Sequence, residues 1–129
     1  MLPVLSAALK GQPHGQVEEI SLGWFSGWFI RTYIAQNVGG TRARAPKKIE
    51  PAKHVEPVVL DGFLRSNQAA RELARQASAY DVNRIRYRNP FIPLLRFTVG
   101  AGLEIIAKHP GRHLLQAEGV RQSADFPAQ

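Results

Sequence analysis

No cysteine occurs among the 129 residues. That absence excludes a disulfide framework, a thiolate zinc site, an iron–sulfur cluster and a cysteine nucleophile. Any metal must then be held by imidazole or carboxylate. Long apolar runs are also missing: none approaches the eighteen residues of a membrane-spanning helix. The opening MLPVLSAALKG lacks the basic start and the length of a signal peptide. These absences make cytoplasm the expected location and leave no membrane partner. There is no Gly-rich phosphate loop, no GxSxG elbow and no paired-carboxylate motif. Acidic residues are few, ten against seventeen Lys and Arg, and the net charge is +7. Such a balance permits nucleic acid, acidic lipid or an anionic substrate. Nucleic acid is disfavoured, because no helix-turn-helix, zinc-finger or RNA-recognition signature sets the basic residues into a groove.

What is present suits one globular domain spanning 1–129, with 44% apolar residues. Leu2, Leu5 and Leu9 recur at helical spacing before Gly11 and Pro13, so 1–12 reads as the end of a helix. Residues 13–56 form a connection. It carries a short aromatic helix over 21–37, with Trp24, Phe25, Trp28, Phe29 and Tyr33, and then a Pro/Gly-rich linker holding Arg42, Arg44, Lys47, Lys48 and Lys53. An apolar stripe through Leu60, Phe63, Leu64, Leu73 and Ala77 predicts a long helix over 57–80. Asn89 as N-cap and Pro90 at the first helical position predict a second long helix over 90–122. Nowhere do alternating strand formers run far, and the expected class is all-α.

The residues that carry chemistry lie in AKHPGRHLLQAE. His109 and His113 are four apart and share one helix face, with Gln116 a turn further on. In heptad register they fall on the seam of Ile92, Leu95, Val99, Ile106 and Val120, which directs both imidazoles into the protein interior. Buried imidazoles need partners, and two readings meet that need. One is a divalent metal ion shared by the pair; the other is a pair of hydrogen-bonded core histidines without metal. Pro110 removes a backbone donor inside this helix and predicts a kink. His14 and His54 are weaker candidates, since loop histidines are mostly solvated. The run Asn83 to Asn89 interleaves Arg84, Arg86 and Arg88 with Tyr87, either to hold phosphate or as a solvated connector.

NPFIPLLRFTVGAGLEIIAKH and RHLLQAE, with Asn89, Pro90 and Phe91 first and His109, His113 and Gln116 inside, resemble the last two helices of the DinB/YfiT-like family of metal-dependent enzymes. The likeness runs from about Pro57 to Val120, and the aromatic segment and basic linker resemble that family's long connection between its second and third helices. The resemblance implies a four-helix bundle, here incomplete at the N-terminus, with a divalent metal (zinc, nickel or iron) held by three histidines. His109 and His113 match the last-helix pair, and the third has no counterpart. It further implies a metal-dependent transferase or hydrolase acting with a small thiol substrate, inactive if no third ligand is found. An incomplete bundle leaves apolar faces open, which predicts either a homodimer or partly molten packing. The alternative, from another class, is a non-catalytic helical interaction module that binds an acidic partner.

Overall fold

The computed structural model describes residues 1–34, 59–92, 94–123 and 126. The basic linker from Arg42 to Lys53, together with His54, lies outside the described residues. Helix α1 spans Leu2–Leu9, with a proline in its first turn where a missing N–H costs nothing. It stops at Gly11, whose φ of +72° lies in the left-handed region that glycine enters without strain. Helix α2 spans Trp24–Phe29 and continues as a wider π-helical turn over Ile30–Ile34. Helix α3 spans Val59–Ala77 and α4 spans Val99–Arg121.

Between the two long helices the chain forms an antiparallel hairpin, β1 at Arg86–Arg88 and β2 at Arg96–Thr98. These strands overturn the all-α class and the incomplete four-helix bundle expected from the sequence: the domain is small, mixed and dominated by helix. The reason lies at Asn89. Its Oδ1 accepts from Phe91 N at 2.8 Å and from Ile92 N at 3.0 Å, the bonds expected of an N-cap. Its own N–H, however, donates to Leu95 O at 2.9 Å and closes a hairpin loop. The same cap chemistry thus serves an Asx-type turn in place of a helix start. The cap of α4 is Thr98, whose Oγ1 accepts from Ala101 N at 3.2 Å. Ile92 and Leu95 consequently precede the helix and take no part in its seam.

One apolar cluster holds these elements together. Leu5 and Leu9 of α1, Leu73 and Ala77 of α3, Tyr87 and Phe97 of the hairpin, and Val99, Ala101 and Ile105 of α4 are all buried in it. Burial is concentrated at the end where α3 finishes and α4 begins. Two glycines in the first turns of α4 permit the approach: a Cβ on Gly100 would stand 2.9 Å from Ile20 Cγ2, and one on Gly102 would stand 2.7 Å from Leu5 Cδ2. Asn83 ties the segment before α2 to this base, accepting from Ser21 N and donating to Glu19 O, each at 2.9 Å. Beyond the base the long helices emerge. Leu60, Phe63 and Leu64 on α3 and Leu114 and Leu115 on α4 are exposed.

Candidate metal-binding site

The emergence of α4 decides where the histidines sit. Residues Val99 to Ala101, Gly102 and Ile105 are core, whereas His109 is half-buried and His113 is exposed. The interior position that the heptad register implies is therefore corrected: among the described residues, no element covers this stretch of α4 deeply enough to enclose both rings. The spacing still brings them together. Nε2 of His109 lies 2.9 Å from Nε2 of His113, with the rings nearly perpendicular at a centroid distance of 4.4 Å.

Their proton positions follow from the neighbours. His113 Nδ1 lies 2.9 Å from Oε1 of Gln116, which only accepts, so Nδ1 carries the hydrogen and Nε2 presents a lone pair. His109 Nε2 then donates to it, and the buried Nδ1 of His109 has no hydrogen-bond partner among the described residues. Burial first, then the charges of His113 and Arg112, hold the His109 pKa below its ordinary 6.5. The ring is neutral at pH 7, the form that binds metal. Arg112 is anchored from the other side, its Nη1 donating to Tyr33 O at 2.6 Å, and so joins α4 to the π-helical turn.

Chelation of a divalent ion by both Nε2 atoms would require the His109 hydrogen to move from Nε2 to the buried Nδ1, which has no acceptor among the described residues; the spacing of the two nitrogens is compatible with it. With metal–nitrogen bonds of about 2.0–2.1 Å, two ligands stand ~2.9 Å apart at a right angle and ~3.3 Å apart in a tetrahedron. The observed 2.9 Å lies in that range. Gln116 supplies the outer hydrogen bond that fixes one tautomer, as partners of ligating histidines do. Among the described residues no group of three His, Asp or Glu gathers here. His14 is remote from the pair: it forms a β-bridge with Tyr80, and their rings meet edge to face at 5.1 Å.

A cavity of about 500 Å³ lies elsewhere, between α3, α4 and the segment Val17 to Ile20. Ala70 and Ala74 of α3 and Leu103, Ile106 and Pro110 of α4 line it, and neither histidine opens into it. Sequence reasoning missed this cavity and the Arg112 anchor, for neither has a local signal; both arise where segments distant in the chain meet. It also missed Arg96, which the hairpin places opposite Arg88. Among the described residues no helix is long and apolar enough to cross a membrane. No protein-family model, curated protein or solved structure matches this chain.

Proposed function

We propose that this is a cytoplasmic divalent-metal-binding protein, related to the DinB-like thiol-dependent transferases, whose ligands include His109 and His113. One observation carries the reading: two imidazole nitrogens 2.9 Å apart on successive turns of α4, with Gln116 bonded to the outer ring. Zinc, nickel and ferrous iron all accept imidazole. A bound divalent ion supplies the charge that lowers the pKa of a thiol or water. The protein contributes two neutral nitrogens and the Arg112 strut that fixes the height of this turn against Tyr33. Further positions on the ion fall to water, a substrate thiol or a residue outside the described set, such as His54.

The test is metal content and metal titration of untagged protein. One equivalent of zinc or nickel taken up by the parent, and lost in both His109→Ala and His113→Ala, is the expected result. A parent that takes up neither metal overturns it and leaves the pair as a hydrogen-bonded surface motif.

A second reading is a non-catalytic helical module: the net charge of +7 favours an acidic partner, and the exposed apolar side chains of α3 and α4 favour pairing with a second copy. Among the described residues Phe63 is 55% exposed and Leu114 is 72% exposed. Sedimentation equilibrium discriminates: a concentration-dependent mass without metal uptake supports this reading over the first.

A further inference from the structure

The cavity of about 500 Å³ between α3, α4 and the segment Val17 to Ile20 has the size of a small-molecule site. Its wall is mainly apolar, with Ala70 and Ala74 from α3 and Leu103, Ile106 and Ala107 from α4. Alanine stops at Cβ, so at these positions neither helix fills the gap between them. The third wall is strapped down at both ends. Gly15 N donates to Ala79 O at 3.0 Å, Asn83 Nδ2 donates to Glu19 O at 2.9 Å and Ser21 N donates to Asn83 Oδ1 at 2.9 Å. The backbone that carries Glu18 and Glu19 is thus pinned before and after the pair, and both residues line the cavity.

The polar groups of the wall are mostly acceptors. Among the described residues no cation pairs with the carboxylate of Glu18 or Glu19. Glu104, also on the wall, is matched by Lys108 Nζ at 2.7 Å. Asn67 commits an amide N–H to Phe63 O at 3.2 Å, and Ser78 commits its hydroxyl hydrogen to Arg75 O at 2.7 Å, so each keeps an acceptor oxygen for a ligand. Pro110 has no N–H, so the Ile106 carbonyl one turn before it lacks its usual helical donor. Ile106 and Pro110 both line the cavity, and the freed acceptor belongs to this wall. Among the described residues Arg71 is the single cation of the lining, and two unmatched carboxylates outweigh it.

We propose that this cavity binds a small primary amine with an apolar body, an arylalkylamine, whose ring lies among Ala70, Ala74, Leu103 and Ala107 and whose ammonium group faces Glu18 and Glu19. The ring takes the apolar lining out of water, and the ammonium brings three N–H donors to a wall that offers acceptors. A carboxylate in the same place would meet two like charges, and a neutral alcohol would leave them unmatched. An amine without an apolar body gains the charge contact alone. This inference is independent of the histidine pair, neither ring of which opens into the cavity.

The test is an NMR titration of the isotope-labelled full chain with three probes built on one indole body: tryptamine, tryptophol and indoleacetate, which end in an ammonium, a hydroxyl and a carboxylate. The expected result is saturable binding of tryptamine, with shifts at Ala70, Ala74 and Ala107, and binding about fivefold or more weaker for the other two. Glu18→Gln/Glu19→Gln, at exposed positions, lowers the tryptamine affinity to that of tryptophol. Asp61→Asn/Glu118→Gln removes equal charge away from the cavity and leaves the parental affinity. Arg71→Gln keeps or raises the affinity, whereas a ligand held by an anionic group would lose it. Ala74→Phe fills the space from an exposed position outside the buried cluster and abolishes binding of all three probes. A parent that binds no probe overturns the proposal, as do indoleacetate binding as tightly as tryptamine, equal losses in the two charge variants, and spermidine competing as strongly as tryptamine. Shifts confined to residues outside the cavity overturn it as well.

Discussion

A Cβ on Gly102 would stand 2.9 Å from the Tyr87 hydroxyl oxygen and 3.0 Å from its Cε1, so the backbone of α4 lies directly against the β1 aromatic ring. The space is needed from two sides, since Leu5 Cδ2 would be 2.7 Å away. Gly102→Ala is expected to destabilise the fold by about 1–3 kcal/mol, the usual cost of overpacking a core. Gly119→Ala, where nothing lies within 4 Å, should be neutral or stabilising by up to ~1 kcal/mol. Urea melts of the two variants make the comparison.

The Tyr87 hydroxyl is buried without a hydrogen-bond partner among the described residues, and burial pushes its pKa from 10.0 up to about 12. The neutral phenol is thus preferred in the folded state, while the unfolded chain ionises near pH 10. Stability from this group is intact below pH 10 and is lost as pH rises from 10 towards 12. Tyr87→Phe removes both effects. It should stabilise the protein by about 1 kcal/mol at pH 7 and flatten the alkaline side of the stability curve.

His109 gives the acid side its shape. Its folded pKa lies below the ordinary 6.5, chiefly through burial, so between those two values the unfolded chain binds the proton first. The contribution to stability is whole above pH 6.5 and falls as the pH is lowered through that window. The parent should therefore lose stability relative to His109→Gln as the pH falls below 6.5. Parallel curves for the two proteins over that range would contradict this assignment.

Asn89 is buried and its Oδ1 holds two backbone N–H groups of the hairpin loop. Asn89→Ala leaves both without that acceptor and should cost about 1–2 kcal/mol. Asn89→Asp keeps the acceptor for both N–H groups and should recover part of the loss at neutral pH. Thermal melts at matched concentration read both.

The open faces predict how the protein behaves in concentrated solution. Phe63→Glu and Leu114→Glu each place a carboxylate on a side chain that contributes little to the buried cluster. Neither should change the stability by more than ~0.5 kcal/mol, the range of ordinary surface changes. Both should lower the apparent mass in sedimentation wherever the parent self-associates.

Much of the local order was legible in the chain. The apolar stripe that includes Leu73 and Ala77 marks α3, and the four-residue step from His109 to His113 places two rings on one helix face, because helical neighbours are set by the turn of about 3.6 residues alone. The chemistry of Asn89 was legible too, as a side-chain acceptor for the two N–H groups that follow. What the tertiary structure decided is where such local features lead. Strands of three residues have too short an alternation to announce themselves, and Arg86–Arg88 becomes a strand only because Arg96–Thr98 lies beside it. The same pairing sets Arg88 against Arg96, a relation no spacing in the chain contains. Burial is likewise a property of what covers a segment: Gly102 lies against Leu5 of α1 and Tyr87 of the hairpin, while His113, on the same helix, has no covering element among the described residues and stands in solvent.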